Sequence, residues 1–353
     1  MNALCPHVGS CGGCAYQDMP DADYRALKRK RILRALTRQG LDADALDGVV
    51  EVEPGTRRRC VFKVARRDGA VRVGFHARAS HEIVDMRACR VLTPGLLGLV
   101  GPLRAVLHDI LRDGEAAEIH ATEADNGFDL GIRWRRALAP ALVGRLARWA
   151  ERNGVARIVS GAEVVVSIRS PRLEMGDAEV EPPPFAFLQP TRAGERILQD
   201  QVCEALAGAR MAADFFAGCG TFALSLARQS KVHAVEQDGA MLSALEVAAQ
   251  TTTGLKPVSV ERRDLFKRPV DARELERFDS VALDPPRAGA AAQIAQLARS
   301  RVSRIAYVSC DAASFARDAR TLTDAGFRMR KALGVDQFLW SEHIELAASF
   351  ERR

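Results

Sequence analysis

The chain has 353 residues and a formal net charge of +6, with 47% hydrophobic and 27% charged residues. This composition is ordinary for a globular protein of about two domains, and no apolar run approaches the ~20 residues that span a bilayer. Residues 1–6 also lack the basic and apolar regions of a signal peptide. We therefore expect a cytoplasmic protein with no membrane association, and no feature indicates an obligate protein partner.

Cysteines are concentrated at the N-terminus, where three of the eight fall within the first fourteen residues. Disulfides are not expected in a cytoplasmic chain. Cys5, Cys11 and Cys14, together with the distant Cys89, offer four thiolates. Four thiolates suit either a structural zinc ion or a [4Fe–4S] cluster, and the spacing does not separate these two possibilities.

Basic residues are also concentrated in the N-terminal half. Residues 24–41 have the periodicity of an amphipathic helix with one apolar and one basic face. Further basic groups follow at 57–67 and near residue 135, where they are Arg133, Arg135 and Arg136. Because such clusters favour a polyanionic partner, we expect the helix at 25–38 and the segment 57–67 to hold phosphates.

The hydrophobic pattern divides the chain into two regions. Residues 49–92 and 117–135 alternate as strands do, and a helix is predicted over 90–112, which indicates an α+β region with antiparallel pairing. Prolines cluster at 171–184 and mark a connection. Beyond them, strands alternate with helices, which predicts an α/β region with a mostly parallel sheet. We therefore expect two domains, 1–184 and 185–353, the second of them Rossmann-like.

A glycine-containing turn at 214–221 (Asp-Phe-Phe-Ala-Gly-Cys-Gly-Thr) follows a predicted strand and precedes a helix. Glycines in such a turn let backbone amides approach a ligand. The next two strands are each followed by an acid: Glu236 suits a ribose diol, and Asp264 suits an adenine amino group. The G-x-G-x-x-G pattern of dinucleotide enzymes is absent. The combination favours S-adenosylmethionine over NAD.

Cys310 follows an apolar strand at 305–309 and precedes a predicted helix. Because ligands bind at the carboxyl ends of strands in open α/β sheets, we expect this thiol beside the glycine turn, where it suits a nucleophile. Glu345 is the candidate base. Together they suit methylation at C5 of uracil: a thiolate adding to C6 makes C5 nucleophilic, and a base then removes the extra C5 proton.

Five segments, in this order, resemble motifs of the S-adenosylmethionine-dependent RNA (uracil-5-)-methyltransferases, and together they extend over nearly the whole chain. They are the N-terminal cysteines with Cys89, Phe187-Leu188-Gln189, Asp284-Pro285-Pro286-Arg287, Ser309-Cys310 and His343-Ile344-Glu345. The resemblance implies that the C-terminal region has the class I methyltransferase fold and that the N-terminal and central region is an α+β RNA-binding domain with a cysteine cluster.

The resemblance also implies roles for single residues. Cys310 would be the nucleophile and Glu345 the base, with an S-adenosylmethionine site lined by Gln189, Phe216, Thr221, Glu236, Asp264 and Asp284. It favours a [4Fe–4S] cluster over zinc on Cys5, Cys11, Cys14 and Cys89. The implied substrate is a uridine of 23S ribosomal RNA, with the T-loop uridine of transfer RNA as the alternative. The flipped base would stack on Phe185, Phe187 or Phe338.

The chain departs from the family pattern at a few positions. Asp311-Ala312 stands where the family has Asn-Pro, Thr221 replaces an asparagine and Ala217 replaces a cysteine. There is no room before Cys5 for the family's RNA-binding barrel domain, which we expect to be missing.

Other functions match the sequence less well. A cytosine-C5 enzyme should have Pro-Cys at positions 309–310, and an amino-group methyltransferase should have an aromatic residue in place of Arg287. A catalytically silent RNA-binding protein and an iron–sulfur electron carrier are the remaining alternatives.

Overall fold

The computed structural model describes residues 4–134 and 138–352, so that Arg135 and Arg136 lie outside the described residues. The first half of the chain contains α1 (Asp21–Arg38), β1 (Leu46–Glu51), β2 (Arg59–Arg67), β3 (Ala70–His76), β4 (Ile83–Asp85), α2 (Pro94–Ile110), β5 (Ala116–Ala124), β6 (Gly127–Arg133), α3 (Pro140–Arg152), β7 (Val155–Ser160), β8 (Glu163–Ser167), β9 (Leu173–Met175) and β10 (Ala178–Val180).

The second half alternates between helices and strands, as the sequence predicts. It contains α4 (Arg192–Ala205), β11 (Met211–Phe215), α5 (Ala223–Leu226), β12 (Lys231–Glu236), α6 (Gly239–Thr251), β13 (Val258–Arg262), β14 (Ser280–Leu283), α7 (Ala291–Arg299), β15 (Arg304–Ser309), α8 (Ala312–Asp324), β16 (Arg328–Asp336) and β17 (Glu345–Glu351). Within the described ranges, no helix is long and apolar enough to cross a membrane.

Among the described residues there are three sheets, of which the smallest is the β9–β10 pair. The largest has eight strands in the order β1-β16-β17-β15-β14-β11-β12-β13. Strand β17 runs antiparallel to both of its neighbours, and the other pairs are parallel. The order along the chain reverses between β11 and β14. A reversal of this kind opens a crevice at the carboxyl ends of the strands, where ligands of α/β proteins bind.

Apolar clusters cover both faces of this sheet. Successive residues of β11 point to opposite faces, so that Ala213 and Phe215 enter one cluster and Ala212 enters the other. The first cluster includes the fully buried rings of Tyr307 and Phe315. This double coverage explains why the strands are almost wholly apolar, and it confirms the predicted α/β region with a mostly parallel sheet.

The second sheet has seven strands in the order β4-β3-β2-β5-β6-β7-β8, and all of its pairs are antiparallel except β6–β7. One face carries buried residues such as Phe62, Val64 and Ile119, which pack with α2 and α3 in a single core. The residues between them point to the other face, as the pleat requires. This sheet confirms the predicted α+β region.

The first elements of the chain do not join this second sheet. Strand β1 pairs in parallel with β16 at the edge of the eight-stranded sheet. Ile32 and Leu36 of α1 are fully buried in the core of that sheet. Both large sheets therefore contain residues from the first half of the chain. The boundary at residue 184 stays a prediction, but α1 and β1 pack with the C-terminal region.

Candidate active site

Two predicted site residues lie just after the carboxyl ends of central strands. Cys310 follows β15, and Asp284 follows β14. Ser309 pairs with Leu346 in the antiparallel β15–β17 ladder, so the next position of that register sets Cys310 opposite Glu345. The strand pairing alone therefore brings the predicted nucleophile and the predicted base together.

A glutamine pair connects the base to Asp284. Gln189 is 2% exposed, and its Nε2 donates to Asp284 Oδ2 at 3.1 Å, while its Oε1 accepts from Gln337 Nε2 at 2.6 Å. Gln337 in turn contacts the carboxyl of Glu345. These bonds fix the orientation of both amides. Gln337 was missed by the sequence analysis, because its only signal is a position just after an apolar strand.

The pKa values of both acids are raised above their ordinary range in the free protein. Burial raises the pKa of Glu345 to about 8, with a further increase from Asp284, and burial also raises the pKa of Asp284. One oxygen of Glu345, Oε2, is buried with no hydrogen-bond partner among the described residues. An unsatisfied carboxyl facing the thiol is the arrangement expected of a proton acceptor.

The thiol of Cys310 is half-buried, and burial raises its pKa to about 11, with Glu345 and Asp284 adding to the increase and Arg287 opposing it. Asp311 caps the next helix: its Oδ1 accepts from the amides of Ala313 and Ser314 at 3.1 and 2.9 Å. Aspartate at 311 thus serves as an N-cap, a role that asparagine also suits.

The glycine turn lies beside these residues, at the switch point of the sheet. Gly218 and Gly220 have φ of +54° and +100°, and Phe216 has φ of +63°, a left-handed conformation that is costly for an aromatic residue. The amide of Gly218 donates to Glu236 Oε2 at 3.1 Å. Glu236 therefore lies against the turn, where the sequence predicts a ribose contact.

Two other predicted cofactor residues have local partners. The carbonyl of Thr221 accepts from Gln199 Nε2 at 2.9 Å. Asp264 follows β13, and its Oδ1 accepts from the amide of Phe266 at 3.0 Å. The ring of Phe266 lies 5.5 Å from that of Phe216, so the two phenylalanines form an apolar wall near Asp264. Such a wall suits a flat base such as adenine.

Asp214, the first residue of the turn motif, was missed as a site residue. It is fully buried, and burial raises its pKa well above the ordinary value, although a hydrogen bond from the backbone of Ala223 opposes the increase. Asp284 and Glu236 lie close enough to add to that increase. None of these three acids forms an ion pair with a described residue. The site therefore suits a cationic ligand rather than an anionic pyrophosphate.

The four N-terminal cysteines, Cys5, Cys11, Cys14 and Cys89, line one pocket. Burial raises the pKa of Cys14 to about 12, and Cys89, Cys11 and Cys5 add to the increase in that order. The amide of Gly13 donates to Cys11 Sγ at 3.4 Å. In the parts of the chain that the structure describes, no group of three or more His, Cys, Asp or Glu has the spacing of a metal site.

The structure corrects part of the predicted phosphate-binding surface. Lys28 is 1% exposed and paired with Asp336, and Arg58 is 2% exposed and paired with Glu195. Both cations are buried in internal ion pairs and are not accessible to RNA. Arg59 forms no such internal ion pair with a described residue. Its guanidinium lies 4.4 Å from the ring centre of Phe187, which is 56% exposed.

Comparisons with known proteins agree with this geometry. The model of the tRNA (Uracil-5-)-methyltransferase family matches residues 179–353. An uncharacterized RNA methyltransferase of Rhizobium meliloti is 40% identical over 351 residues, covering 98% of this chain and 83% of the relative. The 23S rRNA (uracil(1939)-C(5))-methyltransferase RlmD of Halomonas elongata is 32% identical over 377 residues, covering 97% and 74%.

The fold is also similar to a solved structure, the tRNA (uracil-54, C5)-methyltransferase of Pyrococcus abyssi in complex with S-adenosyl-L-homocysteine. The TM-score is 0.73 at 20% identity, covering 96% of this chain and 85% of the other. This likeness concerns the fold, which is that of a class I methyltransferase. The relatives that cover nearly the whole chain, together with the family model, establish that the protein belongs to the RNA (uracil-5-)-methyltransferase family.

Proposed function

We propose that the protein methylates C5 of a uridine in 23S ribosomal RNA through a covalent bond between Cys310 and C6 of the uracil. The observation that carries this proposal is the pairing of β15 with β17, which sets the thiol of Cys310 opposite the buried carboxyl of Glu345. A nucleophile and a base on one side of a flat ring are what this chemistry requires.

The steps follow from the positions of the side chains. The Cys310 sulfur adds to C6, which breaks the C5–C6 double bond and leaves an enolate that is nucleophilic at C5. After C5 has gained a methyl group, Glu345 takes the C5 proton, the double bond re-forms, and the Cys310 thiolate leaves. Asp284, which accepts a hydrogen bond from Gln189, would contact the uracil.

S-adenosylmethionine would be held by Phe216, Glu236, Asp264 and Asp284, and it would supply the electrophilic methyl group. The residues fit it, because the buried carboxyl of Asp214 forms no ion pair with a described residue and would be stabilised in its ionised form by a cationic neighbour. A positive charge there would lower the pKa of Asp284 and of Cys310, both of which are raised in the free protein. Binding of this ligand would therefore promote ionisation of the nucleophile.

We place the target uridine in 23S rRNA because the relative with that activity in its name is 32% identical over nearly the whole chain. The alternative is the T-loop uridine of tRNA, which is the substrate in the name of the solved structure at 20% identity. Identity at this level gives the ribosomal substrate the stronger support.

The test is methyl transfer from labelled S-adenosylmethionine to unmodified 23S rRNA and tRNA in parallel, followed by nucleoside analysis. We expect 5-methyluridine in 23S rRNA and none with Cys310→Ala. Glu345→Gln should lower the rate by about 10²–10⁴-fold and accumulate a denaturant-resistant protein–RNA adduct, because the C5 proton stays in place. Glu342→Gln, at an exposed neighbouring position, should keep full activity.

Each outcome has a distinct meaning. If 5-methyluridine forms in tRNA alone, the proposed mechanism stands and the substrate is tRNA rather than 23S rRNA. Unchanged methylation by Cys310→Ala would remove the covalent mechanism. A wild-type protein that binds RNA and transfers no methyl group to either RNA would indicate the silent RNA-binding alternative.

We also propose that Cys5, Cys11, Cys14 and Cys89 hold a [4Fe–4S] cluster. The donor set supports it: four thiols from two separate loops line one pocket, together with the apolar side chains of Phe75 and Met86. The cluster would stabilise the fold by joining the N-terminal loop to the loop after β4. Methyl transfer needs no electron from it, so an electron carrier is the least supported alternative.

Anaerobic purification tests the cluster. We expect brown wild-type protein with about four iron atoms per chain. Cys11→Ser should lose the colour and destabilise residues 4–90, whereas Cys203→Ser, which changes a thiol outside the pocket, should keep both colour and iron. Colourless, iron-free wild-type protein would refute the iron–sulfur assignment, and stoichiometric zinc would replace it with the zinc alternative.

A further inference from the structure

The outer face of the seven-stranded sheet, opposite α2 and α3, carries mainly polar side chains. Three rows of cross-strand neighbours on β2, β5 and β6 form it. The rows are Arg59–Thr122–Asp129, Val61–His120–Gly131 and Lys63–Glu118–Arg133. Arg59, in the first row, is close enough to Glu345 for their charges to interact. The face therefore begins at the active site and leads away from it.

Two cavities lie one after the other along this face. The first, of about 130 Å³, is bordered by Arg59, His120 and Phe185. The second, of about 500 Å³, begins at the next row and is bordered by Lys63, Arg67, Arg72, Arg133 and Trp134. Since consecutive residues of a strand rise about 3.3 Å, the distance from Arg59 to Lys63 is roughly 13 Å. A few nucleotides of an extended strand fit along this length.

Phe185 occupies an unusual position between the two cavities. Its φ is +61°, a left-handed conformation that costs free energy in an aromatic residue. Its ring lies directly on Gly131, where an added Cβ would come within 2.2 Å of the ring. The absence of a side chain at 131 thus lets the ring lie flat against the sheet. His120 contacts the ring edge-on at 5.2 Å between centres.

Cations and rings alternate along the face. The guanidinium of Arg133 lies 4.9 Å from the ring centre of Phe185, as that of Arg59 lies 4.4 Å from Phe187. Neither arginine forms an ion pair with a carboxylate of a described residue. Arg67 and Arg133 are exposed to solvent, so their charges are available to a ligand. Basic grooves with interleaved rings bind single-stranded nucleic acid, because phosphates pair with the cations and bases stack on the rings.

We infer that this outer face is the path of a single-stranded RNA segment that flanks the target uridine. Phe185, seated on Gly131, stacks with a flanking base, and Arg133 and Arg67 bind the following phosphates. The inference rests on the proposed RNA substrate, and it adds the route by which that RNA leaves the active site. It also assigns a ligand to the N-terminal sheet, which contributes neither Cys310 nor Glu345.

The experiment measures the affinity of the full-length protein for a labelled single-stranded oligonucleotide that contains the 23S target uridine, at several salt concentrations. Phe185→Leu keeps an apolar side chain and removes the ring, and it should weaken binding about tenfold. Arg67→Gln with Arg133→Gln should reduce the slope of log K against log[salt] by about 1.4, or about 0.7 per phosphate contact. Arg172→Gln with Arg228→Gln removes the same charge elsewhere and should leave the slope unchanged.

Thermal unfolding of each variant verifies that the fold is intact. The path is refuted if Phe185→Leu and the Arg67/Arg133 pair both bind as wild type does, or if the Arg172/Arg228 control loses as much salt dependence. Methylation by the wild-type protein is scored separately. If the wild-type protein forms product and the variants bind RNA as wild type does, the path is wrong and the proposed function stands. If binding depends on the Phe185 ring and no product forms, the path stands and the proposed function is wrong.

Discussion

At the scale of single residues, the site is built from carboxyls that the fold keeps out of water. Glu345 is buried, Asp284 beside it is part-buried, and the thiol of Cys310 lies close to both. An ionised carboxylate in this position would cost several kcal/mol, so the protons stay on until a cation arrives. Burial thus disfavours ionisation of the predicted nucleophile and of the predicted base in the ligand-free protein.

These pKa shifts predict how stability depends on pH. Burial raises the pKa of Glu345 to about 8 and that of Asp284 to about 7 in the folded state, above the values of about 4 in the unfolded chain. The stability from this burial is therefore complete below about pH 4, and it is lost as pH rises through 7 and 8. We expect the free energy of unfolding of the ligand-free protein to fall between pH 6 and pH 9.

Glu345→Gln removes one of these ionisations. Between pH 6 and pH 9 the free energy of unfolding should therefore decrease less in this variant than in wild type, by a difference of about 1–3 kcal/mol. Urea unfolding at pH 6, 7.5 and 9 measures the difference. Glu342→Gln is the matched control, because its carboxyl is exposed. Parallel pH curves for wild type and Glu345→Gln would show that Glu345 ionises normally.

At the scale of elements, α1 supports the segment that carries the base. Lys28 donates to Asp336 Oδ1 at 2.8 Å and also to the carbonyl of His343. The hydroxyl of Tyr24 donates to Asp336 and accepts from the amide of Trp340 at 2.7 Å. Arg31 donates to the carbonyl of Glu342 at 2.5 Å. The helix predicted to bind phosphates thus fixes residues 336–343, just before Glu345.

Lys28→Met tests this support. It leaves the carboxyl of Asp336 buried without its cation, which should cost about 3–5 kcal/mol of unfolding free energy, and it should lower kcat because the His343 carbonyl loses its donor. Arg25→Gln removes an exposed ion pair with Glu51 and should cost at most about 1 kcal/mol. Urea unfolding and methyl-transfer rates measure both effects. A Lys28→Met protein as stable as Arg25→Gln would contradict the assigned role.

The sequence predicted α1 as a helix and missed its role, for a physical reason. The apolar and basic faces follow from periodicity, which is local. The burial of Lys28 depends on Asp336, 308 residues away, and nothing near Lys28 in the sequence encodes it. Cys310 was predicted as a site residue from its place after an apolar strand, and Glu345 from the resemblance of His343-Ile344-Glu345 to a family motif. The pairing of β15 with β17 sets the two opposite one another, and their catalytic roles stay predictions. The place of Gln337 and Asp214 beside these residues could be recognised only from the three-dimensional structure.

At the scale of the whole molecule, the chain contributes to the eight-stranded sheet in two separate stretches. It forms α1 and β1 there, builds the seven-stranded sheet, and then completes the eight-stranded one. A buried ion pair, Arg58–Glu195, joins the start of β2 to α4 at 2.7 Å, and Arg58 Nε also donates to the carbonyl of Gln189. The seven-stranded sheet is therefore bonded directly to the segment that carries Gln189, one of the predicted cofactor residues.

Two region types were predictable, because strand–helix alternation differs visibly from antiparallel patterning. Which of the two large sheets β1 joins was not predictable from the sequence. A six-residue strand of mixed polarity fits the edge of either sheet, and its pairing with β16 is set by contacts almost three hundred residues away. Pairing of this kind depends on tertiary packing rather than on local preference.

This topology predicts how fragments of the chain behave. A fragment of residues 185–353 contains every predicted catalytic and cofactor residue, but it lacks β1 beside β16 and leaves the core that holds Ile32 and Leu36 open. We expect it to aggregate or to unfold without a cooperative transition, because it exposes both an apolar core and a strand edge. Residues 20–52 joined to it by a flexible linker should restore cooperative unfolding, measured by circular dichroism. A fragment 185–353 that folds cooperatively without residues 20–52 would instead support the domain boundary at 184 and would make α1 and β1 an accessory to the catalytic sheet.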